Sequence, residues 1–297
     1  MSASRISCPF VTHFIRKMRG GSQPILAQAS DGHLYVVKFN NNLQGANLPF
    51  NESMGTELYR ACGLPAPPWK PLLVSEAFLD ENPDCWIETP EGTLRPNSGV
   101  CFGSCFLGGH GIQLFEILPG SFFQRIQNRK DFWLAWLVDI CAGHSDNRQA
   151  VFTEIASGWF SAVFIDHGHL FGGPKGDQNP ACRASRYLDA RAYDESTADL
   201  MLTLSGFADK LSVRGLWDQA QALPNEWKVD SAVRNLAMCL DRLSNPRFIR
   251  VSLELMSDSR CQTSAREQLF SKYRETRSVP FLRLGVQGAG VQRNAFA

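Results

Sequence analysis

The sequence predicts an α+β fold of two lobes, a small β-rich one followed by a larger helical one. Three observations carry the prediction. Between residues 25 and 107, short β-branched and aromatic runs are separated by Gly, Pro, Asn and Asp, the residues that turn strands. From Ser121 onward most apolar residues recur at helical spacing. Within that second regime sits one strand pair, Ala150 to Ile155 and Gly158 to Ile165, turning at Ala156-Ser157-Gly158, with Asp146 and Asp166 at its two chain ends. The resulting division is a lead-in over 1–19, a small lobe over 20–118, a large lobe over 119–284 and a Gly-rich polar tail over 285–297 that is expected to be disordered.

The small lobe opens at Gly20-Gly21-Ser22-Gln23-Pro24, a glycine-rich entrance to a hairpin made of Ile25 to Ala29, a turn at Asp31-Gly32 and His33 to Phe39. Leu34, Val36 and Lys38 share one face by the period of two, so Lys38 projects from an apolar face and must find an anion. Snorkelling off an edge strand is the alternative for a lone lysine. A helix is expected from Asn51-Glu52, with Met54, Leu58 and Ala61 or Cys62 at helical spacing and Gly63-Leu64-Pro65 as its stop. Glu52 is the first choice of partner for Lys38, and Glu57 the second. Pro65 to Pro71 leaves the helix as an extended chain, Leu72 to Ala77 reads as a strand, and the acidic, proline-containing stretch 79–99 reads as a partly mobile surface loop. Val100 to Leu107 is strand-like, and Gly108 to Leu118 connects the lobes. Helical patterns follow at Phe122 to Gln127, Asp131 to Cys141, Ala198 to Leu223, Ser231 to Leu243, Phe248 to Leu255 and Ser264 to Arg277.

Composition narrows the partners. The 297 residues are 44% hydrophobic and 20% charged, enough apolar material for a sizeable core in two lobes. A net charge of +1 sets up no field for nucleic acid or an acidic membrane, and no basic cluster interleaves with aromatics. Nine cysteines without a Cys-x-x-Cys pair read as reduced core thiols in the cytosol. The apolar stretch Phe132 to Ala142 contains Asp139 and is too short to span a bilayer. Arg5, Arg16, Lys17 and Arg19, with no acidic residue in the first 20, read as a solvated lead-in in preference to a presequence.

The chemistry centres on residues 144–169. Phe160, Ala162, Phe164 and Asp166 share a face, so Asp166 ends an apolar row and needs a partner: a backbone N–H, a nearby Arg148, or a divalent cation with phosphate oxygens. With Asp146 at the other chain end, the pair has the layout that phosphoryl transfer from ATP requires, one aspartate orienting the attacking group and a second holding Mg2+. Gly20, Gly21 and Ser22 lie where backbone N–H groups would cradle a phosphate, although the run is no Walker sequence and Ser22 also fits a plain turn. Arg148 suits neutralising Asp146 or Asp166 or reaching a phosphate, and His144 suits a support beneath the loop.

Several short motifs in order resemble the HipA-like kinase family. They are Tyr35 to Phe39, Asn51-Glu52 with Gly63-Leu64-Pro65 and Pro67, Phe102-Gly103-Ser104, Asn128-Arg129 with Asp131-Phe132, the Asp146 block through Phe152, and Ile165-Asp166-His167-Gly168, spanning residues 20–172. The resemblance implies a bilobal protein-kinase-like fold and ATP with Mg2+. It implies a hydroxyl acceptor, Ser or Thr on a protein or else a small molecule, and leaves room for a regulatory protein partner. It also implies that Lys38 binds the phosphates, Glu52 holds Lys38, Asp146 is catalytic and Asp166 binds the metal. The expected sets are therefore Asp146, Arg148 and Lys38 for catalysis, Gly20, Gly21, Ser22, Lys38 and Glu52 for the nucleotide, and Asp166 with Gln149 for the metal.

Gln149 enters because the position five residues after Asp146, where kinases carry a metal-binding Asn, is Val151, which has no ligand atom. Alternation puts Gln149 on the same side as Val151. Val151 keeps a nucleotide-binding pseudokinase open as an alternative. A second rival is a hydrolase metal site made of His144, Asp146, Asp166, His167 and His169, a reading that gives Lys38 and the whole first lobe no task.

Overall fold

The structure, a computed structural model, describes residues 8–109, 111–176, 186–193 and 211–257, all within one compact unit spanning Met1–Arg260. Its strands are β1 Val11–Lys17, β2 Ile25–Ala29, β3 Leu34–Lys38, β4 Trp69–Val74, β5 Ile87–Thr89, β6 Gly92–Leu94, β7 Gly99–Cys105, β8 Leu114–Phe115, β9 Gln149–Ala156 and β10 Trp159–Ile165. Its α-helices are α1 Leu48–Ala61, α2 Glu76–Glu81, α3 Asp131–Ala142, α4 Val213–Ala222, α5 Asp230–Leu243 and α6 Pro246–Ser257.

Five strands form an antiparallel sheet in the order β1-β2-β3-β7-β4. Its two edges meet where Phe10 bridges Leu73 and the Leu73 N–H donates to the Pro9 carbonyl at 2.8 Å, so the sheet curls towards a barrel and hides both edges. Val11, Ile25, Tyr35, Val37, Leu72 and Cys101 fill it. Because side chains alternate, Tyr35 and Val37 point into the barrel and leave Lys38 for the opposite face.

Helix α1 carries Pro49 in its first turn, where a missing N–H costs nothing, and stops at Gly63 (φ +80°), whose left-handed backbone lets the Leu64 N–H reach the Tyr59 carbonyl at 2.9 Å. It begins at Leu48, three residues before Asn51. A second sheet, β10-β9-β8, lies beside α3, which is apolar on nearly every side and packs against α5 and α6. Phe132 of α3 meets Phe164 of β10 with ring centroids 5.1 Å apart.

Three expectations are corrected. Residues 11–17, read as lead-in, pair with β2 as an edge strand whose half-exposed side chains mask the pattern. The stretch 79–99 holds the end of α2, a 3-10 turn at Pro83–Cys85 and the β5–β6 hairpin, anchored by buried Leu79, Cys85 and Ile87. Gly120–Arg125 is a 3-10 turn, not the expected helix. The first half of the helix expected over 198–223, all of 264–277 and the tail 285–297 lie outside the described residues, as does 177–184.

Candidate active site

Antiparallel pairing sets Gln149 opposite Ile165, which brings the two chain ends of the β9–β10 hairpin side by side. Gly158 makes the turn at φ +71°. Asp166 follows β10 at once and sits at φ +60°, a left-handed conformation that costs a non-glycine residue about 1–3 kcal/mol and persists only where neighbours hold it.

Lys38, at the end of β3, is 6% exposed. Its Nζ lies 2.5 Å from Glu52 Oε1 and 2.8 Å from Asp166 Oδ1. Of the two candidate glutamates, Glu52 reaches the lysine; Glu57 accepts from Trp69 Nε1 at 2.8 Å instead. Glu52 also accepts the backbone N–H groups of His167 (3.2 Å) and Gly168 (2.8 Å). Burial pulls the Lys38 ammonium down, but Asp166 and Glu52 outweigh it and hold the lysine charged above its ordinary range. Burial is the largest single effect on Asp166 and raises its pKa, but the Lys38 charge and the hydrogen bonds to the carboxylate together outweigh it, so it stays ionised far below the usual range.

Close approach of α1 to the segment after Asp166 makes this triad possible. A Cβ on Gly168 would stand 2.4 Å from Leu48 Cδ1 and 2.8 Å from Glu52 Oε1, and one on Gly55 would stand 2.5 Å from His167 Cβ. Asn51 Nδ2, buried beside Glu52, lies within 3.1 Å of the carbonyls of Gly168, Leu170 and Gly173. Its role was not legible from sequence, where Asn51 marked only a helix start.

Gly20, Gly21 and Ser22 form the turn between β1 and β2. Ser22 is buried and its carbonyl accepts Asn42 Nδ2 at 2.6 Å. A Cβ on Gly21 would lie 2.8 Å from Gln44 Nε2, and that amide is 3.4 Å from His169 Nε2. From outside, Gln23 exchanges two 2.8 Å hydrogen bonds with the Glu88 backbone. The turn is thus placed next to the loop that follows Asp166.

Gln149 Nε2 donates to Asp166 Oδ2 at 2.9 Å. Val151 is buried opposite Val163. Asp146 is exposed, and its Oδ1 accepts the Asn147 N–H at 2.7 Å. Arg148, expected among the catalytic groups, is instead buried at 2% exposure. Its Nε and Nη2 donate to Asp139 Oδ2 (2.9 Å) and Oδ1 (2.7 Å), and its Nη1 to the carbonyls of Ile165 (2.9 Å) and Asp166 (3.2 Å). A planar fork committed this way has no side left for Asp146 or a phosphate. Asp139 was missed. Its signal was a carboxylate set in the otherwise apolar run Phe132 to Ala142 of α3, a charge that is costly to bury without a cation.

His144 and His167 are buried around this pair, His144 Nδ1 3.8 Å from Asp139 Oδ2 and the His167 ring 4.5 Å from that of Tyr59. Burial, and next the Arg148 charge, holds both imidazoles neutral well below their ordinary pKa. Both rings are packed in the interior beside Asp139, Arg148 and Tyr59. Among the described residues no three His, Cys, Asp or Glu side chains converge as a metal cage. Asp166 and the exposed Asp146 fit a different pattern, in which a small hard cation takes one or two protein oxygens and completes its shell from phosphate and water; Gln149, whose Nε2 faces Asp166, joins it only with its amide turned over.

No protein-family model and no curated protein matches the chain. Among solved structures, that of a Helicobacter pylori proinflammatory kinase, CtkA, is 11% identical, with 84% of this chain matching 97% of that one at a TM-score of 0.52. The Golgi casein kinase with Mn/ADP bound is 12% identical over 84% of this chain and 74% of its own, at 0.46, and the Golgi casein kinase in a second crystal structure is 11% identical over 84% and 73%, at 0.47. At such identity the likeness to CtkA is one of architecture, and the chain has a protein-kinase-like α+β fold.

Proposed function

We propose that this chain is a kinase that transfers the γ-phosphate of ATP, with Mg2+, to a hydroxyl acceptor, Ser or Thr of a protein being the acceptor class favoured. The observation that carries the reading is the buried lysine on β3 shared by a glutamate of α1 and an aspartate at the open end of the β9–β10 hairpin. A lysine held in that way presents its ammonium at a fixed point for phosphate oxygens, while Glu52 keeps it charged and in place. Asp166, with the Gln149 side-chain carbonyl, would hold the metal, which when bound neutralises charge building on the phosphates. Asp146, exposed at the same hairpin end, would orient the acceptor hydroxyl and take its proton. The backbone N–H groups of Gly20, Gly21 and Ser22 would line the phosphate side. The motif order supports a HipA-like subtype. The free thiols of the described cysteines are consistent with a reducing compartment such as the cytosol.

The test is incubation with γ-labelled ATP and Mg2+ beside an Asp166→Ala control. Label reaching protein or free phosphate in the wild type and not in the control supports the reading; equal label in both overturns it. Buried Val151 favours a second reading, a nucleotide-binding module that transfers nothing. Its signature is a nucleotide-dependent rise in Tm with no label moved.

A further inference from the structure

The strained segment that carries Asp166 is gripped from two sides. On one side Glu52 accepts the N–H groups of His167 and Gly168. On the other, Arg148 Nη1 donates to the carbonyls of Ile165 and Asp166. The amide edge is therefore held by a carboxylate from α1 and the carbonyl edge by a guanidinium from the loop that carries Asp146. Arg148 is itself fixed, by both oxygens of Asp139 on α3 and by the Tyr59 ring, whose centroid lies 4.8 Å from Arg148 Cζ, while the Tyr59 hydroxyl donates to Asp139 Oδ1 at 2.7 Å.

We infer that Asp139 and Arg148 are positioning residues that hold Asp166 in its left-handed conformation and set the register between the Asp146 loop and the Asp166 carboxylate. A non-glycine residue at φ +60° relaxes unless hydrogen bonds oppose it. The two carbonyls nearest the strain are the ones Arg148 takes. An ion pair that only balanced buried charge would not need a fork, since an ammonium would serve; a clamp on two carbonyls and a carboxylate at once needs guanidinium geometry. Groups that orient a metal ligand in this way typically set metal affinity or activity by about 10- to 100-fold. The inference rests on the kinase reading only where it makes Asp166 a metal ligand.

The experiment uses Arg148→Lys, which keeps the charge and removes the fork, and Asp139→Asn, which removes the charge at constant shape. Leu243→Ala, a core truncation in α5, serves as the control for general loss of stability. Hydrogen exchange at the His167 and Gly168 amides is read first, with no ligand present. Either fork variant is expected to exchange there about tenfold faster than the control at matched Tm, following the loss of one side of the grip. Exchange within twofold of the control in both overturns the inference. Mn2+ affinity in the presence of ADP is read second, and a loss of about 10- to 100-fold in Arg148→Lys is expected. Faster exchange with unchanged Mn2+ affinity overturns the claim that the conformation serves the metal ligand. Faster exchange in a protein whose wild type binds no Mn2+ with ADP supports the clamp and counts against the kinase reading instead.

Discussion

Lys38 Nζ and Asp166 Oδ1 lie 2.8 Å apart although 128 positions separate them in the chain. Glu52 completes the contact from a third element, so a hairpin, a helix and a second hairpin meet at one ammonium. Lys38→Met would leave two carboxylates facing each other without a cation. The expected cost is about 3 kcal/mol, the lower end for breaking a buried pair, because Asp166 keeps some solvent. Urea unfolding measures it. The same variant should also lose the stabilisation given by Mg2+ and ATP, about 2.7 kcal/mol at one hundred times Kd in the wild type. A variant as stable as wild type and still stabilised by nucleotide would contradict both expectations.

Gln149 touches Asp166 from the position that alternation assigned to the metal side of β9. Gln149→Ala should raise the Mg2+ concentration needed for half-maximal turnover by about tenfold, with kcat recovering at high Mg2+. A metal titration of steady-state rate decides this. Full turnover at the wild-type Mg2+ requirement would take Gln149 out of the site.

Gly168 and Gly55 mark where α1 and the segment after Asp166 run too close for a side chain. Gly168→Ala is expected to destabilise by about 1–3 kcal/mol through overpacking against Leu48 and Glu52. Gly63→Ala would destabilise for a different reason, since its added Cβ meets no atom within 4 Å but its backbone sits at φ +80°. Calorimetry of the two variants, with nucleotide binding as second readout, separates them: only Gly168→Ala should also weaken the nucleotide response.

Acid should loosen the molecule. His144 and His167 stay neutral in the folded state below their ordinary pKa of 6.5, so the unfolded chain binds more protons and stability falls as pH drops through that value. Each imidazole contributes a slope of about 1.4 kcal/mol per pH unit there. Asp166 acts in the same direction further down, its depressed pKa supplying stability above about 3.9 that is lost below it. Unfolding free energies from pH 8 to 5 should be flat and then fall below about 6.5, and His167→Phe, which keeps the contact with Tyr59, should roughly halve the fall. An unchanged slope in that variant would show His167 to be already solvated.

The two-lobed α+β class, the β2–β3 and β9–β10 hairpins, α3 and α5 were legible because period-two and period-3.6 patterns are local. So was the placement of Lys38 at the end of an alternating strand. Edge strand β1 was not, since half-exposed residues at a sheet edge carry no clean alternation. Nor was the β5–β6 hairpin, whose acidic and proline-containing sequence reads as loop until Cys85 and Ile87 find the barrel core.

The chain by itself determined which residues were available for chemistry: a lysine on an apolar face, glutamates on the following helix, and aspartates flanking a hairpin. Tertiary structure decided among them. Of the two glutamates, Glu52 was the first choice and Glu57 the second, and the packing of α1 at Gly55 and Gly168 aims Glu52 at Lys38 and leaves Glu57 to Trp69. Arg148 reads as a catalytic group two residues from Asp146, yet Asp139 on α3 claims it, because a buried carboxylate without a cation costs more than the fold can spare. Contacts across 9, 14 and 128 positions depend on how elements pack, and no local pattern encodes that.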